Sequence, residues 1–174
     1  MNDSRSVATH TTADLIYDAI FIGGIGGGLV ALFFLLFDTV TLGQPLFTPS
    51  LIGSVLFDGA SPQSVHTVDM MAVAKFTAVH FIAFGAAGVG FSLVTHLAEL
   101  RARHPALVIA FAFIVLELGF WLGTRLVLPG VLMRIGVLPV AAANLLAAVG
   151  VGLFLVTSHR PAHWMNAKRV THPG

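Results

Sequence analysis

One uncharged apolar run near the N-terminus constrains the fold more than any other feature of this sequence. Residues 19–37 read AIFIGGIGGGLVALFFLLF and contain no Asp, Glu, Lys or Arg. A helix of this length crosses about 30 Å of hydrocarbon. The run is too long for the apolar core of a cleaved signal peptide, and no small-x-small cleavage site follows Phe37. It therefore predicts a membrane-spanning helix rather than a targeting segment.

The chain contains three further long apolar stretches, two of which include charged residues. Only 10% of its residues are charged and 56% are hydrophobic, whereas a soluble domain has about 25% charged residues. So few charges cannot cover the apolar area in water, which excludes a soluble globular protein and a disordered chain. We predict an all-α integral membrane protein in which residues 1–174 form one membrane domain, a bundle of four transmembrane helices. The predicted spans are about residues 15–37, 71–97, 105–128 and 138–157.

The long first loop is too polar and too interrupted by proline to cross the membrane. Its middle, residues 49–58, is nevertheless typical of a short helix, because Thr48 can cap its start and Asp58 with Gly59 can end it. The apolar residues of this segment lie on one stripe: Leu51, Ile52, Val55 and Leu56. We predict a short interfacial helix in this outer loop. The alternative is an ordered loop that packs on the end of the bundle.

The distribution of basic residues in the loops and tails predicts the orientation. If both termini are cytoplasmic, the basic residues on the inside are Arg5, Arg101, Arg103, Arg160, Lys168 and Arg169. Only Arg125 and Arg134 then lie outside. The abundance of Ala, Gly and Val and the scarcity of Lys are typical of a bacterial source. We therefore predict a multi-pass protein of the bacterial cytoplasmic (inner) membrane, with the N and C termini in the cytoplasm.

Small residues at helical spacing are the most frequent pattern within the predicted spans. Lipid gives helices no hydrophobic reason to associate, so close approach of backbones must supply the attraction. The positions that we expect at helix contacts are Gly23, Gly24, Gly27, Gly28, Gly85, Gly119, Gly123 and Asn144. These contacts could lie within the bundle or against partner subunits. The amide of Asn144 is expected to bond a neighbouring helix.

His80 and Glu117 are the ionisable residues that lie deepest in the second and third spans. At 1.5 Å per residue, they are about 13–14 Å and about 16–17 Å from the same membrane boundary. We expect a direct or water-mediated hydrogen bond between them, because each would offset the burial of the other. The pair could bind a cofactor, with His80 as the single axial ligand of a haem, a chlorophyll-type pigment or a metal, or it could transfer protons. The alternative is a purely structural contact without a cofactor.

Several chemistries are excluded by what the sequence lacks. The absence of cysteine excludes thiolate metal sites, iron–sulfur clusters and a cysteine nucleophile. No motif for nucleotide or phosphate binding occurs in a suitable context, and a net charge of +1 gives no reason to expect nucleic acid as a partner.

Three functions remain, and the residues favour the first. It is a non-catalytic integral membrane subunit that packs against other membrane subunits or copies of itself within the lipid bilayer, for example in a respiratory or photosynthetic complex. The second is a cofactor-binding or proton-handling protein centred on His80 and Glu117. The third is a small channel or transporter, which the few polar residues in the spans disfavour.

Overall fold

The computed structural model describes residues 12–97 and 105–158. These two segments form six helices: α1 (Thr12–Leu42), α2 (Phe47–Asp58), α3 (Met70–Leu97), α4 (Pro105–Leu126), α5 (Val131–Ile135) and α6 (Val137–Ser158). Four of them, α1, α3, α4 and α6, are long and apolar enough to span a membrane. The predicted all-helical architecture and the count of four candidate spans are therefore confirmed for the described residues.

The two central helices of the bundle are α1 and α6. Helix α3 packs against α1, helix α4 packs against α6, and α2 packs across α3. Of the most apolar window of α6, 39% is buried inside the chain, against 11% for α4. Although α3 and α4 follow one another along the chain, each packs mainly on a different central helix. This arrangement decides which polar side chains of the spans can meet.

The backbones of α1 and α3 approach each other closely. A Cβ atom added at Gly23 would lie 2.6 Å from the carbonyl oxygen of Phe84 and 2.9 Å from the Cα of Gly85. A Cβ atom added at Gly88 would overlap the carbonyl oxygen of Ala19. Only glycine allows the two helices to pack this closely, as is typical of helix pairs in membranes.

Helix α2 lies at the end of the bundle where α1 and α4 finish and α3 begins, which we call the α2 end. Its most buried residues include Leu51 and Ile52, two members of the stripe described above, and a Cβ atom added at Gly53 would overlap the carbonyl oxygen of Ala72 on α3. The helix ends at Asp58, and Gly59 follows in a left-handed conformation with φ 66°, as predicted. An interfacial position for α2 stays a prediction.

The start of α2 differs from the prediction, and the reason is a carboxylate on α1. Helix α1 continues past residue 37 to Leu42, so that Asp38 is helical and fully buried. Its Oδ2 accepts a hydrogen bond of 2.7 Å from the backbone N–H of Thr48, and its Oδ1 accepts one of 2.8 Å from the Thr48 hydroxyl. The prediction that Thr48 caps α2 is therefore wrong. Leu46 occupies the N-cap without a side-chain cap, and Asp38 supplies the acceptor that this helix start needs.

Candidate functional site

His80 binds the backbone of α1 at the contact between α1 and α3. Its Nε2 lies 3.0 Å from the carbonyl oxygen of Gly27. Because a carbonyl can only accept, Nε2 carries the proton and donates it. Three aromatic rings surround the imidazole at centroid distances of 4.7–5.6 Å: Phe76, Phe81 and Phe84. The side chain of His80 thus reaches the backbone of α1 at Gly27, a residue that has no side chain.

Glu117 has its hydrogen bond on the other side of the bundle. The Nδ2 of Asn144 donates to its Oε1 at 3.2 Å, linking α6 to α4. Asn144 is 6% exposed, whereas Glu117 is only partly buried. The amide that we expected to bond a neighbouring helix therefore does so through a carboxyl group.

The prediction of a direct hydrogen bond between His80 and Glu117 is wrong. The depths of two residues along their helices do not fix the direction in which their side chains point. Since α3 packs mainly on α1 and α4 packs on α6, His80 meets a carbonyl of α1 and Glu117 meets an amide of α6. The two polar side chains serve two separate helix contacts.

The glycines that we expected at helix contacts divide into two groups. Gly23 and Gly27 of α1 lie against Phe84 of α3. An added Cβ atom would have no neighbour within 4 Å in the described chain at five other positions: Gly24, Gly28, Gly85, Gly119 and Gly123. Gly85 still takes part in the contact through its own Cα atom, which faces Gly23. Gly24 is exposed and Gly28 is half-buried, and no described residue lies within 4 Å of a Cβ atom added at either position.

Sequence reasoning missed the polar contacts at the α2 end. Asp38, treated as the start of a loop, binds Thr48 as described above. Asp69 caps α3 by accepting from the backbone N–H groups of Met71 at 2.7 Å and Ala72 at 3.3 Å. Lys75 forms an ion pair with Asp58 at 2.8 Å. A carboxylate directly before or after an apolar run was the available signal, because such a residue often binds a helix start.

A small gap in the bundle lies beside Phe84, one of the rings that contact His80. The small apolar gap between the four long helices is lined by residues such as Gly26, Phe84, Phe91 and Leu116 and has a volume of about 10 Å³. This volume fits roughly one water molecule and no tetrapyrrole ring. The Nε2 of His80 is engaged with Gly27. Among the described residues, no group of three or more His, Cys, Asp or Glu side chains could hold a metal ion.

The remaining histidines that could act as ligands are His10, His96, His104, His159, His163 and His172. The side chains of all six lie outside the described residues. Comparison with protein-family models finds no match to the chain, and neither curated proteins nor solved structures give a match.

Proposed function

We propose that this chain is a non-catalytic integral membrane subunit that packs against partner subunits. The observation that carries the proposal is the outward-facing glycine pair of α1. Gly24 and Gly28 have the small-xxx-small spacing of a helix contact, yet an added Cβ atom at either position meets nothing within 4 Å in the described chain. The other glycine pair with this spacing, Gly23 and Gly27, is covered by α3.

A glycine within a helix lowers the stability of that helix by about 1 kcal/mol relative to alanine. At Gly23 and Gly27 the close approach of α3 offsets this loss. At Gly24 and Gly28 no contact within the described chain does so, and lipid gains nothing from a flat helix surface. A second helix, from another subunit, would supply the missing contact.

The use of the polar side chains supports a structural role over a catalytic one. The carboxylate of Asp38 binds Thr48, the imidazole of His80 binds Gly27, and the amide of Asn144 binds Glu117. Each of these groups holds two parts of the chain together. With its Nε2–H donated to Gly27, His80 keeps a lone pair on Nδ1, so a cofactor or proton-transfer role would have to use Nδ1.

The test is to isolate the tagged chain from its native membrane in a mild detergent and to measure its native mass and companions. The wild type should migrate well above the mass of one chain, together with other membrane proteins. If the complex is respiratory or photosynthetic, its absorption spectrum should show haem or chlorophyll bands that the isolated chain lacks. A wild type that is isolated alone, with the mass of a single chain, would refute the proposal.

Two variants separate packing against partners from packing within the chain. Gly24→Leu should release the companions while the thermal stability of the isolated chain stays unchanged, because its side chain enters open space. Gly23→Leu is the matched control and should destabilise the chain itself, because its side chain would strike the backbone of Phe84. If Gly24→Leu keeps all companions, this face of α1 is not the contact.

The placement in the bacterial cytoplasmic membrane with both termini inside belongs to the same proposal. It is supported by the distribution of arginine in the loops and tails. Reporter fusions after Ser61 and after Arg103 should report opposite sides of the membrane, with Ser61 outside. Reporters on the same side would contradict the topology.

A further inference from the structure

Glu117 lies near the middle of a candidate span. The span covers Ala106–Leu126, so that Glu117 is about 16 Å from one end and about 14 Å from the other at 1.5 Å per residue. A polar group at this depth has no water with which to bond, and an unmet hydrogen bond there is costly. Each oxygen of this carboxyl group therefore needs a partner.

Only one of the two oxygens has a partner among the described residues. Asn144 donates to Oε1, and Oε2 has no hydrogen bond. Oε2 is also not fully buried by the described residues. As a carboxylate, Oε2 needs a donor, and as a carboxylic acid its O–H needs an acceptor. In both states the second polar group is one that the described residues do not supply.

The neighbours of Glu117 along α4 show which side of the helix is involved. Ala110, Ile114, Glu117 and Trp121 follow one another along α4 at intervals of four, three and four residues. All of them except Glu117 are exposed. We call these four residues the Glu117 stripe. Leu122, which is 61% exposed, points about 140° away from Glu117 at 100° per residue.

We propose that the Glu117 stripe is the contact face of a symmetric dimer of this chain, in which the two Glu117 carboxyls pair. Two copies in one membrane have the same orientation, so their two-fold axis runs along the membrane normal. Such an axis places Glu117 of one copy and Glu117 of the other at the same depth. Two carboxyls that share at least one proton are donor and acceptor to each other, which meets the need of both Oε2 atoms.

The described basic residues do not meet this need. Arg134 lies over the ring of Phe47. Lys75 is paired with Asp58 near the α2 end. Arg125 lies eight residues from Glu117 along α4, which is about 12 Å nearer that end, and it lies over the ring of Trp121. A second copy therefore offers its own carboxyl, rather than a cation, at the depth of Glu117. This inference deepens the proposed function, on which it rests, by naming one partner.

The chain contains no cysteine, so that single cysteines report contacts without background. Ile114→Cys lies on the Glu117 stripe and is 53% exposed in the wild type. Leu122→Cys, about 80° around the axis of the same helix from Ile114 and outside the stripe, is the comparison variant. Each variant is reconstituted in liposomes and oxidised with a copper–phenanthroline catalyst. We expect Ile114→Cys to form disulfide-linked dimers at least about tenfold faster than Leu122→Cys. Equal rates, or a faster reaction at Leu122, would overturn the proposal.

Substitution of Glu117 in the Ile114→Cys background tests the carboxyl directly. Glu117→Leu should slow cross-linking about tenfold or more, because the polar contact is lost from both copies. Glu117→Gln should stay within about threefold of the parent, because its amide also donates and accepts. Unchanged cross-linking in Glu117→Leu would overturn the role of Glu117.

The cysteine comparison does not depend on the folding of any Glu117 variant, so it decides the matter if Glu117→Leu fails to fold. The result also separates this inference from the proposed function. If Ile114→Cys does not cross-link although the native chain is isolated with other membrane proteins, the dimer is refuted and the role as a subunit stands. If the purified chain cross-links at Ile114 but is isolated without other proteins, the dimer stands and other membrane proteins are refuted as its partners.

Discussion

The contact between α1 and α3 differs in kind from the contact between α4 and α6. At the first, Gly23 and Gly88 bring the two backbones together, and a side-chain hydrogen bond from His80 ends on a backbone carbonyl. At the second, two side chains meet, with Asn144 donating to Glu117. Within the described chain, the glycines of α4 have open space where a Cβ atom would lie. The first contact brings two backbones together at glycines. The second combines a polar pair of side chains with the side chain of Ile109 on α4, which packs on Gly152 of α6.

This difference predicts how the two contacts respond to substitution. Backbones in close contact cannot move apart locally, so an added methyl group must displace a whole helix. Two side chains can change rotamer or find another partner, so that the loss is smaller. Measured hydrogen bonds between membrane helices average about 0.6 kcal/mol and reach about 1.7 kcal/mol. The predictions below test this contrast, in order of decreasing effect.

The largest effect is expected from Gly88→Ala. The new Cβ atom would overlap the carbonyl oxygen of Ala19 and lie 2.9 Å from the backbone nitrogen of Gly23. We expect a loss of about 3 kcal/mol in the free energy of unfolding, at the upper end of the range for overpacking, measured by denaturant titration in detergent. Gly90→Ala is the control on the same helix, since its Cβ atom meets nothing within 4 Å. Equal effects of the two substitutions would show that α1 and α3 are not in close contact.

Asp38→Ala should have the next largest effect, because α2 is held to α1 by this carboxylate. The substitution leaves the backbone N–H of Thr48 without the acceptor at 2.7 Å and removes the bond to its hydroxyl. We expect a loss of about 2 kcal/mol in the free energy of unfolding, since a buried donor without a partner costs about 1–3 kcal/mol. The exposed Thr39→Ala, which loses only a bond to its own helix, is the control. A loss as small as that of the control would mean that α2 is held by its contacts with α3 alone.

The same comparison shows how far the sequence predicted the structure. The four spans could be predicted because length and hydropathy depend on a helix alone. The partner of each helix could not, because the short loop between α3 and α4 suggested that the two pack together, whereas they pack mainly on α1 and α6. The pairing of His80 with Glu117 failed for that reason.

The glycines and Asp38 show the same limit at the level of single residues. The stacked glycines of α1 indicated a helix contact, but not that Gly23 faces α3 while Gly24 faces outward. That distinction depends on where the neighbouring helix lies, which spacing alone does not give. Asp38 is the first residue after the uncharged run, so the sequence places it in the predicted loop. Its acceptor role depends on the position of α2, ten residues further along the chain.

A smaller effect is expected from the polar contact between α4 and α6. In a double-mutant cycle with Asn144→Leu and Glu117→Leu, the coupling energy should be about 1 kcal/mol, because each substitution removes the same hydrogen bond. A second cycle, with His80→Leu and Glu117→Leu, is the control. Its coupling should be below about 0.5 kcal/mol, since these two residues share no partner. Strong coupling between His80 and Glu117 would restore the contact predicted from depth and contradict the packing of α3 and α4 described here.

The smallest effect is expected from the open glycines of α4. Gly119→Ala and Gly123→Ala place a methyl group where the described chain has no atom within 4 Å. Alanine also reduces the conformational freedom of the unfolded chain, so that each substitution should leave the free energy of unfolding unchanged or raise it by about 0.4–1 kcal/mol. Circular dichroism during denaturant titration of the detergent-solubilised chain measures this. A loss of more than about 1 kcal/mol at either position would mean that another helix approaches α4 as closely as α3 approaches α1. The contrast between the two contacts would then no longer hold.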